Sequence, residues 1–311
     1  MEVWGGSQLT SQGMEFGGLD AWVYSKPFGD AERGGDVYYA SSCATGRITR
    51  MLLADVSGHG KGVAATATDL RALMRRFVNR LDQGEFVGLL NSEFSELSQD
   101  GSFATAVVAT FFAPSNRLTV CNAGHPRPLR YRAGRREWSF LSHERKAGPA
   151  ARGPQNIPLG MIAISEYEQF DVELEEGDCL LTYTDALIES NDAEGEMLGE
   201  PGLLQLIRTL DVPETGIEPR QITESLLAAI AARDASNLTD DDVTVLIVRA
   251  NGRPPQYSLG EKLGAMVRFA GAAFRSLKPG AERAPFPDSS LPNMGGALIP
   301  ALARRWRAPR D

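Results

Sequence analysis

The sequence predicts an α+β fold in which antiparallel sheets lie sandwiched between layers of paired helices. Three observations carry this. Apolar runs rich in β-branched and aromatic residues follow one another across tight turns, as at 103–113 and 116–122, and read as hairpins. Two helical segments, 61–81 and 85–97, adjoin in sequence, and two more, 201–210 and 219–233, open near a proline that suits a first helical turn. Strands joined by hairpins make antiparallel sheets, which excludes a doubly wound parallel sheet.

Taken in order, residues 1–18 are Gly-rich and weakly patterned, and are read as an N-terminal extension. Residues 19–26 form the first expected strand, 37–40 the second and 48–54 the third. In the helix over 61–81, Leu70, Leu73, Met74, Phe77, Val78 and Leu81 make one apolar face, and Arg71, Arg75, Arg76 and Arg80 a solvated one. Gln83-Gly84 breaks it, and Phe86, Leu89, Leu90, Phe94 and Leu97 form the inward face of the next helix. Hairpins are expected at 103–122 and 128–141, the second around Gly134, with a mobile loop over 142–156. Strands follow at 167–174 and 179–184, then the second helix pair, then a last strand at 243–248. The domain so defined spans 19–250, and 251–311 is a separate tail.

The totals narrow the function. No apolar run reaches the ~18 residues of a membrane span, and the N-terminus lacks the basic-then-apolar pattern of a secretory signal. Cys43, Cys121 and Cys179 are far apart and lie in or beside strand-like runs, so they read as buried thiols in a reducing compartment, the cytoplasm. The net charge is −8, but residues 251–311 hold ten basic residues against four acidic, a net of +6 that leaves −14 on the rest. An acidic body argues against nucleic acid as a partner.

Residues 51–62, MLLADVSGHGKG, organise the chain. A buried strand ends in Asp55, a Gly-rich turn follows, and a long helix begins. A carboxylate at a strand end sits on a rigid scaffold at the rim of the fold, and glycines let backbone approach a ligand there. The pattern repeats: Asp36, Asp55, Asp185 and Asp241 all stand at strand ends beside turn-like sequence. Carboxylates without His or Cys company favour hard cations such as Mg²⁺ or Mn²⁺. With three histidines and no helical His pair, zinc is not expected. Asp is also a common turn residue, so four unrelated turns is the competing reading.

Six motifs in order then carry a resemblance: Gly34-Gly35-Asp36; Ala54-Asp55-Val56-Ser57-Gly58-His59-Gly60; Asn122-Ala123-Gly124-His125-Pro126; Pro158-Leu159-Gly160; Thr182-Tyr183-Thr184-Asp185; and Asp241-Asp242-Val243-Thr244-Val245. Over residues 19–250 the chain resembles the metal-dependent PP2C-like (PPM) protein phosphatases, in their bacterial SpoIIE/RsbU-type branch. The resemblance implies an αββα sandwich with two Mn²⁺ or Mg²⁺ ions at one edge. It implies that Asp55 bridges both ions with the Val56 carbonyl on one, and that Asp36, Asp185 and Asp241 complete the sites. A metal-bound water would then hydrolyse phosphoserine or phosphothreonine in a protein, a STAS-type anti-sigma-factor antagonist being the expected substrate class. Two positions depart from the family pattern: Ala186 replaces a common Gly, and Tyr39 replaces a common Asp.

Three further residues are candidates with a plainer reading beside each. His59 has the ionisation range of a proton donor to the leaving group and joins Asp55 and Asp36 as a catalytic candidate, though shaping the Gly-rich turn is the first reading of it. His125 reads as a turn-fixing hydrogen bonder. Arg33 is placed to fork onto a substrate phosphate, or is a solvated turn arginine. Asp240 and Asp242 are expected to be solvent-exposed neighbours of Asp241.

In the tail, residues 259–277 have an amphipathic stripe of Leu263, Met266, Val267, Ala270, Phe274 and Leu277 with basic residues elsewhere. Packing on the acidic body or on a regulatory partner is the first expectation, and peripheral attachment to an anionic membrane the second. With 18 residues ahead of the first expected strand, no sensor domain is expected there, so regulation is assigned to the tail or to another protein. A non-catalytic phosphoprotein-binding module and a two-metal phosphodiesterase or nuclease are the competing functions. The complete Asp set argues against the first, and the acidic body against the second.

Overall fold

The computed structural model describes residues 2–43, 46–58, 61–78, 80, 82–97, 101–141 and 155–253. The strands in chain order are β1 (Glu2–Gly6), β2 (Thr10–Phe16), β3 (Leu19–Lys26), β4 (Val37–Ser42), β5 (Ile48–Val56), β6 (Ala104–Phe112), β7 (Arg117–Ala123), β8 (Leu129–Arg132), β9 (Glu137–Phe140), β10 (Gln169–Glu173), β11 (Cys179–Tyr183) and β12 (Val243–Ala250). The helices are α1 (Lys61–Phe77), α2 (Gln83–Leu97), α3 (Ala186–Glu189), α4 (Gly199–Thr209) and α5 (Pro219–Ala231). One sheet runs β1-β4-β5-β6-β7-β10 and the other β2-β3-β12-β11-β8-β9, with every ladder antiparallel.

Three cores follow from strand alternation. Leu53, Val107 and Phe111 of the first sheet meet Val23, Leu180 and Leu246 of the second in the middle layer. The opposite side chains of β5, Leu52 and Ala54, face Leu70, Met74, Leu90 and Phe94 of α1 and α2. Leu181, Val245 and Ile247 face Leu203, Ile207, Leu226 and Ile230 of α4 and α5. The result is the expected αββα sandwich. Among the described residues, no helix is long and apolar enough to cross a membrane.

Residues 1–18 are not the extension read from sequence. β1 pairs with β4 and β2 with β3, so each sheet gains an edge strand. The glycines that weakened the pattern are permitted by close packing: a Cβ on Gly13 would lie 2.8 Å from the Trp22 ring. α1 ends at Phe77, short of the predicted Leu81. Arg50, buried in β5, donates to the Val78 carbonyl at 2.8 Å and the Arg80 carbonyl at 2.6 Å, drawing the chain out of the helix. α2 starts earlier than predicted because Asp82 Oδ1 caps the Glu85 N–H at 2.7 Å and the buried Gln83 amide donates to the Val108 and Thr119 carbonyls. Residues 142–154 of the loop expected over 142–156, and 254–311 of the tail, lie outside the described residues.

Candidate metal centre

Four chain segments bring the predicted aspartates to one end of the sandwich. Asp36 precedes β4, Asp55 is the penultimate residue of β5, Asp185 follows β11, and Asp241 lies two residues before β12. β4 and β5 are neighbours in one sheet, and β11 and β12 in the other. The carboxylates therefore converge across the inter-sheet core from both layers.

Their electrostatics report the convergence. Burial first, then the charges of Asp185, Asp241, Asp242 and Glu189, push the Asp55 carboxyl up to about 7. Burial, then Glu189 and Asp241, raise Asp185 to about 6. Asp36 is raised well above the carboxylate range by burial and by Asp55. Among the described residues no Arg or Lys forms an ion pair with Asp36, Asp55 or Asp185. Mutually repelling, desolvated, oxygen-only donors suit a hard cation. The cluster is open, however: among the described residues no three His, Cys, Asp or Glu side chains are already gathered to hold an ion. The residues thus fit such an ion in kind and direction, and closing a shell requires them to draw together.

Asp242 is not the solvent-exposed neighbour expected. It is buried, and its carboxylate accepts the N–H groups of Phe28 at 2.6 Å, Gly35 at 2.5 Å and Asp36 at 3.4 Å. It clamps the β3–β4 turn that carries Asp36. This explains Gly34-Gly35. A Cβ on Gly34 would run into the Asp242 carboxylate, and one on Gly35 would lie 2.5 Å from Val63 Cγ1 and 2.9 Å from the Val56 carbonyl oxygen. The Val56 carbonyl is thereby placed beside the Asp36 turn. Asp36 itself accepts from Thr184 Oγ1 at 3.0 Å, while Thr184 Oγ1 takes the Thr244 N–H at 2.9 Å. Threonines of β12 and the β11 end so tie the second sheet to the carboxylate of the first.

The other candidates fall as follows. Arg33 is exposed on the turn that ends in Asp36. His59 lies outside the described residues. Asp240 is exposed, as expected. Tyr39 is buried against α1 and α2, so that family position faces a helix layer here. Ala186 packs into the outer core of the second sheet, where its Cβ is accommodated. His125 is buried, its N–H donates to Asn122 Oδ1 at 2.8 Å and its carbonyl accepts from Asn122 Nδ2 at 2.9 Å, the turn-fixing arrangement expected.

Sequence reasoning missed Glu189. It is exposed one helical turn beyond Asp185, with the Glu189 N–H on the Asp185 carbonyl at 2.8 Å, and its charge reaches both Asp55 and Asp185. Its i, i+4 spacing from Asp185 was the available signal.

The sandwich is shared with solved structures of low identity. The PP2C phosphatase domain of SpoIIE from Bacillus subtilis, with a fragment of its regulatory domain, superimposes with a TM-score of 0.61 at 16% identity, covering 78% of this chain and 64% of that one. The RsbU and RsbW domains of a Mycobacterium tuberculosis protein give 0.60 at 20% identity, covering 86% and 70%. RsbX, solved in complex with magnesium, gives 0.54 at 16% identity, covering 77% and 99%. Residues 45–251 match the family model described as stage II sporulation protein E (SpoIIE), and the chain belongs to that family of PP2C-type phosphatases.

Proposed function

We propose that this protein is a Mn²⁺- or Mg²⁺-dependent protein serine/threonine phosphatase that uses two ions. Asp55 would bridge them, with the Val56 carbonyl, Asp36, Asp185 and Asp241 completing their shells. The observation that carries this reading is the meeting of desolvated, mutually repelling carboxylates from both sheets at one edge. The magnesium reported for RsbX, which shares the fold, supports the choice of cation. Bound ions would supply a nucleophile from water at neutral pH and neutralise charge on the phosphoryl oxygens.

This chain's own groups hold the reacting parts. Asp242 and Thr184 keep the Asp36 carboxylate aimed at the edge. Arg33, exposed on the same turn, binds and orients the substrate phosphate. His59, in the Gly-rich sequence that follows β5, is the candidate proton donor to the departing serine or threonine oxygen. A phosphorylated protein is the substrate, and a STAS-type antagonist is its expected class. The basic tail serves a regulatory partner or an anionic membrane surface, and the site of action is the cytoplasm.

Hydrolysis of a phosphoserine peptide, with and without Mn²⁺, by wild type and Asp55→Asn tests the reading. Mn²⁺-dependent turnover that the variant lacks is the expected result. Absence of turnover with Mn²⁺ bound would favour a phosphoprotein-binding module on the same fold. Absence of Mn²⁺ binding would reduce the four aspartates to turn residues.

A further inference from the structure

The Asn122-Ala123-Gly124-His125-Pro126 motif lies in the connection between β7 of the first sheet and β8 of the second. This crossover is at the carboxylate end of the sandwich. Asn122 and His125 close it through their paired hydrogen bonds. Gly124 has φ +68°, and a Cβ there would lie 2.5 Å from the Pro158 ring. Backbone bonds and packing therefore suffice to fix the turn, and they leave the imidazole of His125 without a role in it.

The imidazole spans the two sheets. Its Nδ1 shares a hydrogen bond of 2.8 Å with Thr105 Oγ1 on β6. Thr105 is the ladder partner of Asp55. The backbone of Tyr183, the last residue of β11 and two residues before Asp185, lies close enough to the ring to act on its charge. Nε2 is buried and closes no hydrogen bond of ordinary geometry. Burial holds the ring neutral, its pKa lowered to about 3. In the tautomer whose Nδ1 accepts from the Thr105 hydroxyl, Nε2 carries the proton.

We infer that His125 is a positioning residue that sets the separation of Asp55 on one sheet from Asp185 on the other, through Thr105 and the Tyr183 carbonyl. It touches neither substrate nor cation. It limits how far the open carboxylate cluster can spread or close. The inference rests on the two-sheet cation site proposed above.

Calorimetric titration of the full chain with Mn²⁺ tests it, on wild type, His125→Ala, His125→Gln and Thr105→Val. Removing the ring, or only the hydroxyl that holds it, weakens Mn²⁺ binding about tenfold, the scale of losing a group that orients a ligand. Glutamine can accept from Thr105 and donate toward Tyr183, so His125→Gln restores affinity to within about threefold of wild type. Thr105→Val is nearly isosteric and keeps the test valid if His125→Ala does not fold. Wild-type affinity in folded Thr105→Val overturns the inference, as does a His125→Gln protein as weak as the alanine variant. Wild type that binds no Mn²⁺ overturns the cation site itself and this inference with it, so the two failures are distinguishable.

Discussion

The Asp242 carboxylate accepts the Gly35 N–H at 2.5 Å, joining the turn before β12 to the turn before β4. Phe28 and Asp36 donate to the same carboxylate. Its neighbour Asp241 is only half-buried and adds its charge to Asp55 and Asp185. Two adjacent aspartates therefore do different work. Asp242→Ala leaves three backbone donors short of an acceptor and costs about 2–4 kcal/mol of stability. Asp241→Ala relieves repulsion but loses the bond from the Asp242 N–H at 2.7 Å, so it costs less than about 1.5 kcal/mol, and it removes Mn²⁺ binding. Urea unfolding and Mn²⁺ titration of the two variants, side by side, check the division; equal losses of stability would contradict it.

Gly35 is pinned between Val63 Cγ1 and the Val56 carbonyl. The backbone carbonyl cannot retreat without unpairing the end of β5, so Gly35→Ala must shift the turn or Val63. Overpacking of this kind costs about 1–3 kcal/mol. The turn carries Asp36, so a drop in Mn²⁺ affinity accompanies the loss. Gly29→Ala, on the same β3–β4 connection, meets open space but has φ +58°. It strains the backbone alone and leaves Mn²⁺ affinity unchanged. Thermal unfolding and titration of both variants separate crowding at the site from strain away from it.

The contrast between Asp242 and the four predicted aspartates shows what the sequence carried. Strand ends were legible because buried apolar runs such as 51–54 stop abruptly at a carboxylate, and the αββα layering followed from hairpins and helical stripes. The partner of a turn was not legible. Asp242 and Gly35 are 207 positions apart, and nothing local says that one aspartate of a run of three turns inward. β1 and β2 were missed because edge strands bury little and tolerate glycine. Arg50 was read as part of an apolar strand, and its capture of the Val78 and Arg80 carbonyls, which shortens α1, is again a long-range event.

The raised carboxylates make stability depend on pH with a definite sign. Without a divalent cation, Asp55 at about 7 and Asp185 at about 6 hold protons more tightly folded than unfolded. Their contribution is full below the unfolded value of roughly 4 and is lost as pH rises through 6 and 7. In chelator, the midpoint of thermal unfolding should fall between pH 5 and pH 8, by roughly 5 °C or more. A cation competes with these protons, so half-saturating Mn²⁺ should drop as pH rises from 5.5 to 7.5, up to about tenfold per pH unit for each proton displaced. A midpoint independent of pH in chelator would mean that the carboxylates do not repel one another in the folded chain.

Glu189 stands outside the cluster but within reach of its charge. It is exposed on α3, one turn from Asp185, and it adds to the proton affinity of both Asp55 and Asp185. The same field that favours a proton favours a cation, so Glu189→Gln has two linked effects. It lowers the pKa of both aspartates, which softens the pH dependence in chelator. It also weakens Mn²⁺ binding, by about two- to fivefold at low salt, since an exposed charge acts through water and is screened. In about 0.5 M salt, where the screening length is only a few ångströms, wild type and variant should converge. A deficit that persists at high salt would instead make Glu189 a direct ligand, and Glu189→Asp, one methylene shorter, would then fail to restore it.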